Sequence, residues 1–276
     1  MKTLFINPSL RPNFDKKIFP LGLACILTYV KEKGFDFDLL DIDISGFDDE
    51  YVENFIKENK YDVILYGSIV THYKWIKWLT RTIKRHQPST TIVVGNSVAA
   101  SCLDVFMENA PADIVISGEG EISCVEVLES LRDGKELSSV LGIAYRDAVG
   151  KIIKNPVRPA CDINVLPMVD WEILEVSKYL ERYQWTAFGV PKEEKSVVFP
   201  ISSARGCTFR CTFCHFVYWD DPFRYRSPEK IIEEIRRNIE KYGANYINFN
   251  DDLTLSSLVQ AERLADAILA SGLKFN

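Results

Sequence analysis

The chain has 276 residues, 47% of them hydrophobic and 26% charged, which at roughly 100–200 residues per domain points to about two globular domains. A formal charge of −6 argues against a nucleic-acid footprint, and no apolar run approaches the roughly 18–20 residues of a membrane span. Seven cysteines, three of them clustered, do not make a secreted disulfide framework, so a cytoplasmic protein is expected.

The opening MKTLFINPSL has a short apolar run ended by Asn7-Pro8, which suits a first buried strand better than a signal peptide. Strands are predicted at 2–7, 35–42, 62–68, 90–96 and 112–118, alternating with amphipathic helices at 20–34, 48–60, 72–87, 101–110 and 121–134. In the helix over 72–87, Trp75, Trp78, Leu79, Thr82 and Ile83 share one side, and Lys74, Lys77, Arg81 and Lys84 read as a solvated face. This alternation predicts an α/β, doubly wound, flavodoxin-like fold with a parallel sheet covered on both faces. Ligands of such sheets bind beyond the carboxyl ends of the strands. The loops of interest are therefore Asn7-Pro8-Ser9, Gly67-Ser68, Gly95-Asn96 and Gly118-Glu119-Gly120-Glu121.

From about residue 138 the pattern changes. Residues 141–155 read as two short strands about a turn at Val149-Gly150, and the proline-punctuated stretch 155–174 reads as a linker rather than core. Strand and helix resume with a strand at 196–203 and a cysteine-bearing loop. A helix at 227–243 follows, with Ser227 as N-cap, Pro228 at its first position and Gly243 as its stop. A strand at 245–251, a helix at 256–272 and the start of another strand at LKFN complete the chain. The rhythm is that of a β/α barrel, but a closed barrel needs about 250 residues, so the barrel is expected to be cut short. The expected division is 1–137, a small β element and linker at 138–195, and the barrel portion at 196–276.

Within RGCTFRCTFCHF (205–216), Cys207, Cys211 and Cys214 have the spacing C-x3-C-x2-C, and no cysteine follows. The other four, Cys25, Cys102, Cys124 and Cys161, read as small buried hydrophobes. Thiolates in a tight loop, with Gly206 allowing close backbone approach, suit an iron–sulfur cluster. Three ligands for four irons leave one position open, the mark of a site that binds a reactant. A Cys3His zinc site would need His215 beside Cys214, and adjacent residues can hardly share one tetrahedral ion. A cluster used only for electron transfer, with a fourth ligand further along the protein, and chance clustering are the remaining alternatives.

The motif resembles the signature of the radical SAM superfamily, C-x3-C-x-aromatic-C, with Phe213 at the aromatic position. The resemblance implies a 4Fe–4S cluster on Cys207, Cys211 and Cys214. The open iron would take the amino and carboxylate groups of S-adenosylmethionine (SAM), which is cleaved to a 5′-deoxyadenosyl radical. Asn250-Asp251-Asp252 ends the next strand, and Asp251 and Asp252 are the implied SAM contacts; turn capping is the plain alternative.

The resemblance extends over the front of the chain, through PLGLACILTYVKEKG, LLDID, VVGN and GEGE, to the cobalamin-binding domain of cobalamin-dependent radical SAM proteins. It implies cobalamin contacts at Gly67, Ser68, Gly95, Asn96, Ser97, Gly118, Glu119 and Gly120. Two departures stand out: the usual Gly-Gly after the fourth strand is Gly95-Asn96, and the Asp-x-His-x-x-Gly motif of an axial histidine is absent. His72 is not that ligand by motif, and cobalamin binding without a protein histidine is expected. The implied activity is methyl transfer to an unactivated carbon of a small-molecule or peptide substrate, fed by a one-electron reductant such as flavodoxin or ferredoxin. A radical rearrangement or cyclisation without cobalamin, and a non-catalytic iron–sulfur module, are the rivals. The fragment alone is expected to be inactive.

Overall fold

A computed structural model describes residues 1–15, 17–182, 196–214 and 222–276. It divides into two compact units, one formed by Met1–Phe14 and Ile26–Pro159, the other by Asp15–Cys25 and Ala160–Asn276.

The first unit is built on strands β1 (Thr3–Asn7), β2 (Asp38–Asp41), β3 (Val63–Gly67), β4 (Thr91–Gly95) and β5 (Ile114–Ile116). They are parallel in the order β2-β1-β3-β4-β5, the flavodoxin-like arrangement predicted from the alternation. Their Ile-, Val- and Leu-rich runs are buried on both faces, as helices covering both sides require. The helices are α1 (Leu21–Glu32), α2 (Ile42–Ser45), α3 (Asp49–Glu58), α4 (Tyr73–His86), α5 (Ser97–Ala100), α6 (Leu103–Asn109) and α7 (Gly120–Asp133). Asp48 caps α3 by accepting from the Tyr51 amide at 2.8 Å, and Gly134 ends α7 in the left-handed conformation.

Three local expectations change. The buried face of α4 is centred on Ile76, Leu79, Thr80 and Ile83, so Trp75 and Trp78 flank the core instead of leading it. The helix predicted over 101–110 forms as α6, starting after Cys102, whose φ of −138° is not helical, and the short unpredicted α5 precedes it. Of the scattered cysteines only Cys124 is fully buried; Cys25, Cys102 and Cys161 are half-buried.

The hairpin expected at 141–155 forms as β6 (Ile143–Arg146) and β7 (Ile152–Lys154), and it extends the same sheet antiparallel to β5. Asp147 shapes its turn, accepting from the amides of Val149 and Lys151 at 3.0 and 2.8 Å.

In the second unit β8 (Val198–Ile201) pairs in parallel with β11 (Tyr246–Phe249), while β9 (Ala204–Arg205) and β10 (Arg224–Tyr225) form a short antiparallel ribbon. Helices α8 (Val176–Arg182), α9 (Pro228–Tyr242) and α10 (Leu258–Ser271) accompany them. Ser227 and Ser257 cap α9 and α10, and Gly243 and Gly272 end them. Asn276 donates to Asn245 O and accepts from the Ile247 amide, at 2.9 and 2.8 Å, so the LKFN segment lies along the free edge of β11. The stretch 155–174 is not a bare linker: Ile163, Val169, Trp171 and Leu174 are buried. Phe19, Trp171, Tyr179 and Phe199 form an aromatic core, with Phe19 stacked on Tyr179 and Phe199 at 4.9 and 5.5 Å and set edge-on to Trp171 at 5.0 Å. Among the described residues, no helix is long and apolar enough to cross a membrane.

Candidate functional site

The cysteine loop springs from the β9–β10 ribbon. Gly206 follows β9 at φ +81°, and a Cβ placed there would lie 2.8 Å from the carbonyl oxygen of Pro222. Only glycine fits where the two limbs of the loop meet. Cys207 is half-buried and Cys211 and Cys214 are exposed, all as free thiols. The Cys214 amide donates to Cys211 O at 3.0 Å, a turn that brings the last two cysteines together, and the Phe209 amide donates to Cys207 Sγ at 3.5 Å. Amides directed at sulfur favour a thiolate and a charged cluster. Phe213 is 90% exposed. His215 lies outside the described residues.

No three His, Cys, Asp or Glu side chains converge as they would on a single ion among the described residues. A 4Fe–4S cluster places each thiolate on a different iron. Three free thiols on one loop, with an amide already pointing at sulfur, fit that group.

At the end of β11 the two acidic residues differ. Asp251 accepts from the Ser203 and Ala204 amides at 2.9 and 3.1 Å and from the Ser203 hydroxyl at 2.5 Å. Burial pushes its carboxyl above the usual range, and hydrogen bonds from Ser203, Ala204 and Thr254 oppose that rise. Asp252 is exposed. On the return limb the Arg226 amide donates to Ser203 O at 2.8 Å, and its guanidinium donates to Ser202 O at 3.1 Å and to the buried Glu234. Ser203, Arg226 and Glu234 carry no motif, and no sequence signal marked them.

In the first unit, Gly67 and Gly95 face each other in register at the ends of β3 and β4. A Cβ on Gly67 would stand 2.7 Å from Gly95 O, so this glycine lets two backbones pass. A Cβ on Gly95 or on Gly118 (φ +90°) would meet nothing within 4 Å. At Gly120 a Cβ would press on the Ile26 side chain at 2.7 Å, a helix-packing constraint. Glu119 stands at the N-cap position of α7.

Asn96 adopts φ +64°, ψ −177°, and its side chain accepts from the Ser97 amide at 2.5 Å. Ser97 Oγ accepts from the Val70 amide at 3.1 Å, and Ser68 O accepts from the Val98 amide at 3.0 Å, tying the loops after β3 and β4 together. Ser68 Oγ lies 3.0 Å from His72 Nδ1, and the His72 ring stacks on Trp75. Burial lowers the His72 pKa, with Asp49 acting weakly the other way. Ile69 and Val70 are exposed beside these polar groups. Small residues, hydroxyls and the exposed Ile69 and Val70 thus gather at the carboxyl edge of the parallel sheet, where ligands of such sheets bind.

Residues 10–128 match the B12 binding domain family, and residues 201–265 match the radical SAM superfamily. The chain is 25% identical to the cytidylyl-2-hydroxyethylphosphonate methyltransferase of Streptomyces wedmorensis, over 99% of this chain and 58% of that protein. It is also 25% identical to the anaerobic magnesium-protoporphyrin IX monomethyl ester cyclase of Rubrivivax gelatinosus, over 91% of this chain and 45% of that protein. The chain thus spans about half the length of these relatives. Among solved structures, the cobalamin-dependent SAM radical enzyme OxsB, with aqua-cobalamin and SAM bound, superposes with a TM-score of 0.80 at 19% identity. That match covers all of this chain and 38% of OxsB, and it shows the fold.

Proposed function

We propose that this chain, a member of the radical SAM superfamily that carries a B12-binding domain, belongs to a cobalamin-dependent radical SAM enzyme that transfers a methyl group to an unactivated carbon. The observation that carries the reading is the loop of three free thiols at Cys207, Cys211 and Cys214, which leaves β9 through Gly206, a position where a Cβ would collide with Pro222 O. When bound, the cluster supplies the electron that cleaves SAM, and cobalamin supplies the methyl group. In this reading the three cysteines hold the cluster, Phe213 flanks it, and Asp252 is the exposed carboxylate available to the SAM amino group. Residues 1–137 hold cobalamin through the loops ending in Gly67-Ser68, Gly95-Asn96-Ser97 and Gly118-Glu119-Gly120. The substrate is a small molecule or peptide, and a flavodoxin or ferredoxin supplies electrons. Similarity to both a methyltransferase and a cyclase keeps oxidative cyclisation as the second outcome.

Anaerobic reconstitution tests both cofactors in one sample. Iron and sulfide are expected to give the broad visible absorbance of a 4Fe–4S cluster, lost when any one of Cys207, Cys211 and Cys214 becomes alanine. Hydroxocobalamin is expected to stay with the protein through gel filtration and show its corrin bands. A cysteine variant that binds iron as the wild type does defeats the cluster assignment; absence of corrin bands defeats the cobalamin assignment alone. SAM-dependent 5′-deoxyadenosine from the whole protein separates an enzyme from an inert iron–sulfur module.

A further inference from the structure

Building on the cluster reading above, we propose that Asp251 is a positioning residue for the cysteine loop, not a SAM contact, and that with Arg226 and Glu234 it clamps the loop's neck.

A carboxylate offers about four lone-pair sites. At Asp251 the chain's own donors take them: the Ser203 amide, the Ala204 amide, the Ser203 hydroxyl and the Thr254 side chain. Binding a ligand amino group would mean surrendering one of these, and three of the four donors sit on Ser203 and Ala204, each 2% exposed, where an unpaired donor is costly. Asp252, next in the chain, lies in solvent.

What the carboxylate holds is the approach to Cys207. Residues 202–204 lead through β9 into Gly206 and Cys207. Asp251 takes the Ser203 and Ala204 amides, and Arg226 takes the Ser202 and Ser203 carbonyls from the opposite limb. Glu234, 1% exposed, fixes the Arg226 guanidinium. The Asn164 side chain accepts from the Ser227 amide at 2.8 Å, and Cys161 O accepts from the Arg224 side chain at 2.8 Å, anchoring the return limb from the other side. The outgoing limb is thus tied to β11 and the returning limb to α9, while among the described residues the cysteines take part in the Phe209 amide–Cys207 Sγ and Cys214 amide–Cys211 O bonds. A loop so built has its geometry set at the neck, where a small change is carried to all three thiols.

The experiment compares wild type, Asp251→Ala, Asp251→Asn, Ser203→Ala and Asp252→Ala, each reconstituted anaerobically with iron and sulfide. The readouts are far-UV circular dichroism of the apoprotein, iron per chain, the rate of iron release to EDTA, and the EPR signal of the dithionite-reduced cluster with and without SAM. Asp251→Ala is expected to keep the wild-type dichroism yet release iron at least tenfold faster, with a broadened EPR signal that still responds to SAM. Asp251→Asn keeps an oxygen for both amides and is expected within about threefold of wild type; Ser203→Ala should fall between the two. Asp252→Ala is expected to hold its cluster normally. If Asp251→Ala does not fold, the asparagine and Ser203 variants decide the same question by release rate. Wild-type release from the variants overturns the proposal. So does a normal cluster in Asp251→Ala that no longer responds to SAM, since a direct contact predicts that pattern. A wild type that takes up no iron overturns the cluster reading, and this inference with it.

Discussion

Asn96 has the only positive φ outside glycine among the described residues. A positive φ combined with an extended ψ is nearly reserved to glycine, and holding another residue there costs about 1–3 kcal/mol. The side chain recovers part of this by capping the Ser97 amide. Asn96→Gly is expected to raise the stability of the first unit by roughly 1 kcal/mol, after the glycine's greater unfolded-state freedom is subtracted. Gly67→Ala should act in reverse: the added methyl would lie 2.7 Å from Gly95 O, a backbone atom held by the β3–β4 ladder. A loss of about 1–3 kcal/mol is expected. Urea midpoints measured side by side check both, and a lower midpoint for Asn96→Gly would mean that the cap outweighs the strain.

At the scale of elements, α9 shows how a helix can serve a loop it does not contain. Its capping is local and plain in the sequence, from Ser227 and Pro228 to Gly243. Its Glu234 is buried and paired with Arg226 and, at 3.8 Å, with Arg237. Removing one partner of a buried ion pair leaves the other charge uncompensated, at a cost of about 3–5 kcal/mol. Glu234→Ala is therefore expected to lower the thermal midpoint of the second unit strongly, and Glu234→Met with Arg226→Met should restore most of the loss; circular dichroism at 222 nm reads both. Strands β1 to β5, the longer helices α1, α3, α4 and α7 and the limits of α9 and α10 are legible in the sequence because periodicity and caps are local signals, whereas the one-turn helices α2 and α5 are too short to show a period. The roles of Glu234 and Arg226 are not legible, because their pairing depends on how a ribbon folds back onto a helix. The α4 face likewise depends on tertiary packing: its tryptophans flank the core, and Ile76, Leu79 and Ile83 are the apolar residues it buries.

At the scale of the whole molecule, the order of the chain and the membership of its cores diverge. Residues 15–25, which the sequence assigns to the front of the first helix, belong with the second unit. Phe19 is their principal contribution, buried against Trp171, Tyr179 and Phe199. Trp171 itself comes from the proline-rich stretch that reads as linker, where prolines mask a few deeply buried residues. A protein starting at residue 160 would thus leave a hole the size of a phenylalanine ring in its aromatic core. Truncating such a side chain costs about 3–5 kcal/mol, a large share of the stability of a small unit. Phe19→Ala in the full chain is expected to lower the unfolding midpoint of residues 160–276 while leaving the seven-stranded sheet protected, as hydrogen exchange resolved by peptide would read out. A residues 160–276 piece should be poorly folded alone and regain protection when a peptide of residues 15–25 is added. Loss of protection spread evenly over both units in Phe19→Ala would show that the two cores unfold as one.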